Sequence, residues 1–177
     1  MKILSASAIV LGLAVLAVLV YAANRPDTFR VQRSATIQAP PEKIFPLIND
    51  LQRWRDWSPW ERIDPALRRS YSGPASGKGA AYAWEGNNEV GSGRMEIDES
   101  TPSSRVVLKL HFMKPFEARN IAEYTLVPQG NATQVTWSMY GPNSFLGKLI
   151  GVFMDMDRMV GGKFEEGLAN LKSVAEK

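Results

Sequence analysis

Residues 105–140 read RVVLKLHFMKPFEARNIAEYTLVPQGNATQVTWSMY, and their alternation decides the fold. Val106, Leu108, Leu110 and Phe112 are separated by residues that include Lys109 and His111; Ala122, Tyr124 and Leu126 flank Glu123 and Thr125; Val135, Trp137 and Met139 flank Thr136 and Ser138. A period of two is the signature of strands with one dry face and one wet face. Between the second and third runs stands Gln129-Gly130-Asn131, whose residues tolerate positive φ, so a tight hairpin is expected there.

Upstream the same chemistry repeats. Strands are expected at about Ala66–Ser72, Ala80–Glu85 and Gly91–Glu99, followed by Arg105–Met113, Ala118–Val127 and Gln134–Tyr140, with Gly86-Asn87-Asn88 as a second hairpin turn. Spacers this short leave no room for helices, so the six form an antiparallel meander. An earlier strand is carried by Phe29, Val31, Arg33, Ala35 and Ile37. Ala39-Pro40-Pro41-Glu42 ends it and opens a helix with Ile44, Leu47, Ile48 and Leu51 on one side, short or kinked because of Pro46.

A sheet with one dry face requires cover. Leu149, Phe153, Met156, Val160, Phe164, Leu168, Leu171 and Ala175 recur by threes and fours and supply it. A short helix near Phe145–Gly151 is expected to lead into a longer one, with Gly161-Gly162 as a bend. The class is therefore α+β: a seven-stranded curved antiparallel sheet wrapped around a long C-terminal helix.

The chain has 177 residues, a formal net charge of +3, one histidine and no cysteine. That length suits one domain. Absent cysteine excludes disulfides, thiolate metal sites and thiol nucleophiles, and the mild charge without a Lys/Arg run gives no reason to expect nucleic acid. Ile3 to Ala23 carries no charge and would span about 31 Å as a helix, so it is expected to be a single-pass membrane anchor, residues 1–23, preceding the sheet. The competing reading is a cleaved secretory signal, with Val20-Tyr21-Ala22 near a possible cut; the length of the run favours the anchor. Lys2 set against Arg25, Arg30 and Arg33 leaves the side of the bilayer open. Residues 24–28 read as a linker and 29–177 as the domain.

Several segments carry a resemblance beyond topology: Trp57-Ser58-Pro59-Trp60, Trp84-Glu85-Gly86-Asn87, Val90-Gly91-Ser92-Gly93-Arg94-Met95, Val135-Thr136-Trp137-Ser138-Met139 and the run from Met159 to Lys172. Over residues 29 to 175 the chain resembles bacterial members of the SRPBCC superfamily, the START-like proteins often labelled polyketide cyclase/dehydrase. The resemblance implies the helix-grip fold with a cavity between sheet and C-terminal helix, and it does not imply a reaction.

A bent sheet is too long for one helix to fill, and the inward residues are large, apolar and partly polar-tipped. Tyr82, Trp84, Met95, Leu110, Phe112, Asn120, Tyr124, Trp137, Met139, Phe153, Met156 and Val160 are the candidate pocket. Each is also compatible with plain core packing. Trp54, Trp57 and Trp60 are read either as a lid closing the core or as an aromatic rim.

Catalytic groups are scarce. His111 falls on the outward phase, and one histidine without cysteine gives a metal site no materials, so no metal and no cofactor is expected. The turn Gly73-Pro74-Ala75-Ser76-Gly77-Lys78-Gly79 fails as a phosphate loop, with three residues between its first glycines and Gly where Ser/Thr should stand. Asn120 and Tyr124 are the inward polar pair, able to orient a carbonyl or to satisfy each other. Three functions are weighed: membrane-anchored binding of a lipid or other hydrophobic small molecule, a cyclase/dehydrase-type enzyme using Tyr124 and Asn120, and an envelope interaction scaffold without ligand. The first is preferred, with no catalytic residue assigned.

Overall fold

The computed structural model describes the backbone of residues 2–177 and the side chains of residues 10–155 and 157–177. Its strands are β1 (Thr28–Ile37), β2 (Arg68–Ser72), β3 (Ala81–Glu85), β4 (Ser92–Thr101), β5 (Arg105–Lys114), β6 (Ala118–Gln129) and β7 (Ala132–Pro142). They form one antiparallel sheet in the order β1-β7-β6-β5-β4-β3-β2. The expected meander is present, and β1 completes it by pairing with β7, Val31 opposite Met139 and Arg33 opposite Trp137. Gly130 turns the β6–β7 hairpin at φ 62°. Register shifts at Ser92/Gly93 and Ile97/Glu99 bend β4 against β5.

The helices are α1 (Lys2–Ala23), α2 (Pro41–Asn49), α3 (Phe145–Phe153) and α4 (Met156–Ala175), with two 3₁₀ turns at Leu51–Asp56 and Pro59–Arg62. Pro41 opens α2, Glu42 lies in its first turn, and it ends after nine residues, three past Pro46. α4 buries Phe164, Leu168, Leu171 and Ala175, and it packs chiefly along β1.

Two expectations need correction. α4 is continuous through Gly161-Gly162; the break falls at Met154-Asp155, where the Asp155 side chain accepts the Arg158 N–H and starts a new helix. Gly161 has a different purpose. A Cβ there would overlap the Arg33 guanidinium, which crosses α4 to bond Glu165 at 2.6 Å and Asp157 at 2.8 Å.

The second correction concerns the N-terminus. Among the described residues no helix is long and apolar enough to cross a membrane, so the single-pass anchor and the membrane localisation are withdrawn. Residues 3–9 of the predicted span have side chains outside the described residues. α1 packs on α3 through its C-terminal end, where Ala22 is buried, and Lys148 of α3 pairs with Asp27 of the following segment.

Candidate functional site

Cross-strand register sorts the inward face of the sheet into rows. One row runs Arg33, Trp137, Tyr124, Val106; the next Val31, Met139, Ala122, Leu108, Ile97. A third carries Asn120, Leu110, Met95, Tyr82 and Tyr71, and a fourth Phe112, Gly93, Trp84 and Arg69.

Around the first row the grip is occupied by the chain's own rings. Trp137 stacks on Phe164 of α4 with centroids 4.1 Å apart and planes 8° apart, and Tyr124 lies 4.9 Å from Trp137. Trp57 stands edge-on to both, Trp54 edge-on to Tyr124, and Trp60 edge-on to Trp137 and Phe164. Trp57 is 0% exposed and Trp54 5%. Their indole N–H groups donate to Leu47 and Ile48 carbonyls of α2, each at 2.9 Å. These two are therefore no aromatic rim: the tryptophan segment is a lid that closes the core, with Trp60 half-buried at its margin.

At the other end the same face is less covered. Met95 and Tyr82 are buried, whereas Leu110, Phe112, Trp84, Met139 and Val160 are only half-buried. The end of β5 and the turn after it expose Met113 and Phe116. An opening of about 380 Å³ spans β5, β6 and β7 at this level, lined by residues 109–111, 119–121 and 140–142, but Lys109, His111, Arg119, Ile121, Tyr140 and Pro142 are on the outward register, so it lies against the opposite face of the sheet. Of the expected pocket it shares Leu110 and Asn120. A smaller opening of about 200 Å³ lies between the Gly73 turn, Tyr71 and Leu51.

Asn120 marks the boundary between the two halves. It is 8% exposed, and its Oδ1 is buried without a hydrogen-bond partner. The hydroxyls of Tyr71 and Tyr124 and the Trp137 Nε1 are likewise buried and unpartnered. Asn120 and Tyr124 do not satisfy each other: four residues along one strand separate them by about 13 Å. Burial raises the Tyr124 hydroxyl well above its ordinary pKa, so it holds its proton.

Two expected residues fall elsewhere. Phe153 ends α3 with 73% exposure, turned to solvent by the break that starts α4. The Met156 side chain lies outside the described residues. His111 faces outward as expected and meets Glu117 at 3.1 Å.

The structure adds a polar cluster that sequence reasoning missed. Glu61, on the second 3₁₀ turn, has a side chain only 5% exposed. It accepts from Arg69 Nε at 2.6 Å and from the Tyr82 hydroxyl at 2.7 Å, while Arg69 also donates to the carbonyls of Leu67 and Glu61. Burial, reinforced by the Glu61 carboxylate, raises the Tyr82 hydroxyl far above the usual tyrosine value. The cluster fastens the lid to β2 and β3. Among the described residues no group of acidic or histidine side chains could hold a metal ion.

A sheet gripping a C-terminal helix, closed by aromatic packing at one end and part-open at the other, defines an α+β domain of the helix-grip class. The chain belongs to the family described as polyketide cyclase / dehydrase and lipid transport, whose model matches residues 28–176. Similar solved structures include the Aha1 dimer from Colwellia psychrerythraea, 18% identical with a TM-score of 0.61, covering 84% of this chain and 96% of that one. A Chromobacterium violaceum protein is 15% identical with a TM-score of 0.59, covering 86% and 99%. DynU16, a putative protein in the dynemicin biosynthetic locus, is 17% identical with a TM-score of 0.59, covering 86% of this chain and 48% of its own. At these identities the likeness is one of fold. Among curated proteins none matches the chain.

Proposed function

We propose that the protein binds a hydrophobic small molecule, a lipid among the candidates, in the part-open end of the grip, without catalysis. The observation that carries this reading is the unequal covering of one sheet face: Trp84, Leu110, Phe112, Met139 and Val160 remain half-buried beside a buried Asn120 whose Oδ1 lacks a partner. Family membership supports it, since the family description itself joins cyclase/dehydrase chemistry with lipid transport. The guest contacts are thus a subset of the expected pocket; Tyr124 and Trp137 serve the packed half.

A cyclase or dehydrase would require a group that exchanges a proton at the guest. Tyr124, the candidate for that role, is held protonated and enclosed by aromatic rings, so the binding reading is preferred.

The test is native mass spectrometry on the full chain, looking for a co-purified small molecule, followed by affinity for that molecule in Phe112→Ala and Trp84→Ala. Each substitution is expected to weaken binding by about 1 kcal/mol or more, as truncation of a contact aromatic does. A protein that carries nothing, and takes up no apolar probe, refutes the reading.

A further inference from the structure

We infer that the guest is uncharged where it is buried and presents a hydrogen-bond donor, such as an alcohol hydroxyl, to the Asn120 Oδ1. This rests on the binding reading above and narrows it to a chemical class.

Charge comes first. The cations on the inward register of the sheet, apart from the exposed Lys114 at the end of β5, are Arg33 and Arg69. Both are already matched by carboxylates: Arg33 by Asp157 and Glu165, Arg69 by Glu61 at 2.6 Å. A carboxylate or phosphate seated beside Asn120 would find both of these guanidiniums already paired, the further cation Arg55 lying over the Tyr71 ring at the β2 edge, and an unpaired buried anion is prohibitively costly.

Hydrogen-bond polarity comes second. The Asn120 Oδ1 can only accept, and it is buried without a donor. A buried orphan acceptor costs free energy that a guest hydroxyl would return. Its neighbour explains why the oxygen lies where it does: Gly141 has no side chain, and a Cβ there would overlap the Asn120 Oδ1. Leu110, opposite Asn120, and Phe112 are half-buried, so an apolar guest can be seated between them.

The experiment uses the full 177-residue chain and three probes with the same sixteen-carbon tail: hexadecan-1-ol, methyl palmitate and palmitate. Affinities are read from quenching of intrinsic tryptophan fluorescence. The alcohol is expected to bind about fivefold tighter than the ester, the worth of one hydrogen bond, and about tenfold or more tighter than the anion. In Asn120→Leu, and independently in Gly141→Ala, the advantage over the ester should vanish while the ester itself still binds. Two variants are used so that a folding defect in one leaves the other decisive. An ester or palmitate that matches the alcohol overturns this inference and leaves the binding reading standing. An alcohol preference that survives both substitutions removes Asn120 as its source. Failure of all three probes to bind overturns the inference together with the reading beneath it.

Discussion

The two halves of the sheet's inward face are made of similar residues and used in different ways. Around Trp137 and Tyr124, six aromatic rings interlock between sheet, lid and α4. Around Leu110 and Phe112 the face is only half-covered. Aromatic content therefore does not distinguish a core from a site; what distinguishes them is whether a second element lies within packing distance. The lid supplies that element at one end, through indoles anchored to α2 carbonyls and through Glu61.

The sharpest test of this contrast is truncation on each side. Trp137→Ala should cost about 3–5 kcal/mol in urea unfolding, as expected for a fully packed aromatic. Phe112→Ala should cost about half as much and act on ligand affinity instead; equal losses would abolish the distinction. Glu61→Ala should destabilise by about 2–3 kcal/mol, somewhat below the usual figure for a broken buried pair because Arg69 retains partial access to water.

Alkali offers a third test. Tyr82 and Tyr124 both have pKa values raised by burial, so the unfolded chain ionises near pH 10 while the folded one stays protonated. Their contribution is complete below pH 10 and declines above it, by about 1.4 kcal/mol per pH unit for each tyrosine. Stability of Tyr82→Phe and Tyr124→Phe, followed by urea unfolding from pH 9 to 11, should fall less steeply than that of the parent protein. A parallel decline would mean that the hydroxyls are not enclosed. The smallest effect is expected on α4. Gly162→Ala meets open space and should gain about 1 kcal/mol in the same assay, whereas Gly161→Ala should gain nothing because it displaces Arg33.

Most of the sheet was legible because a period of two, broken by glycine and asparagine, has few alternative solutions. The expected strands at Arg105–Met113 and Ala118–Val127 lie within one or two residues of β5 and β6. The short helix near Phe145–Gly151 leading into a longer one was legible and corresponds to α3 and α4; the bend expected at Gly161-Gly162 is absent because Gly161 was read for its flexibility, when its missing side chain provides passage for Arg33, and Asp155 was the local signal for the helix start. Glu61 was illegible since its partners lie 8 and 21 residues away on two strands, and no local pattern marks a carboxylate as buried. The inward face was readable from alternation, but its division into a packed half and a looser half depends on where the lid lands. For the N-terminal run, hydropathy alone suggested a span that the described helix does not provide.

The placement of β1 has a consequence for how the molecule comes into being. Its partner β7 lies about a hundred residues later, Thr28 opposite Pro142, and α4, which also rests on it, comes later still. On a ribosome, the first strand must wait for nearly the whole polypeptide before its hydrogen bonds can be made. Assembly therefore ends where the sequence begins, and synthesis halted before Ala132 would leave Thr28–Ile37 as an unpaired edge open to other chains.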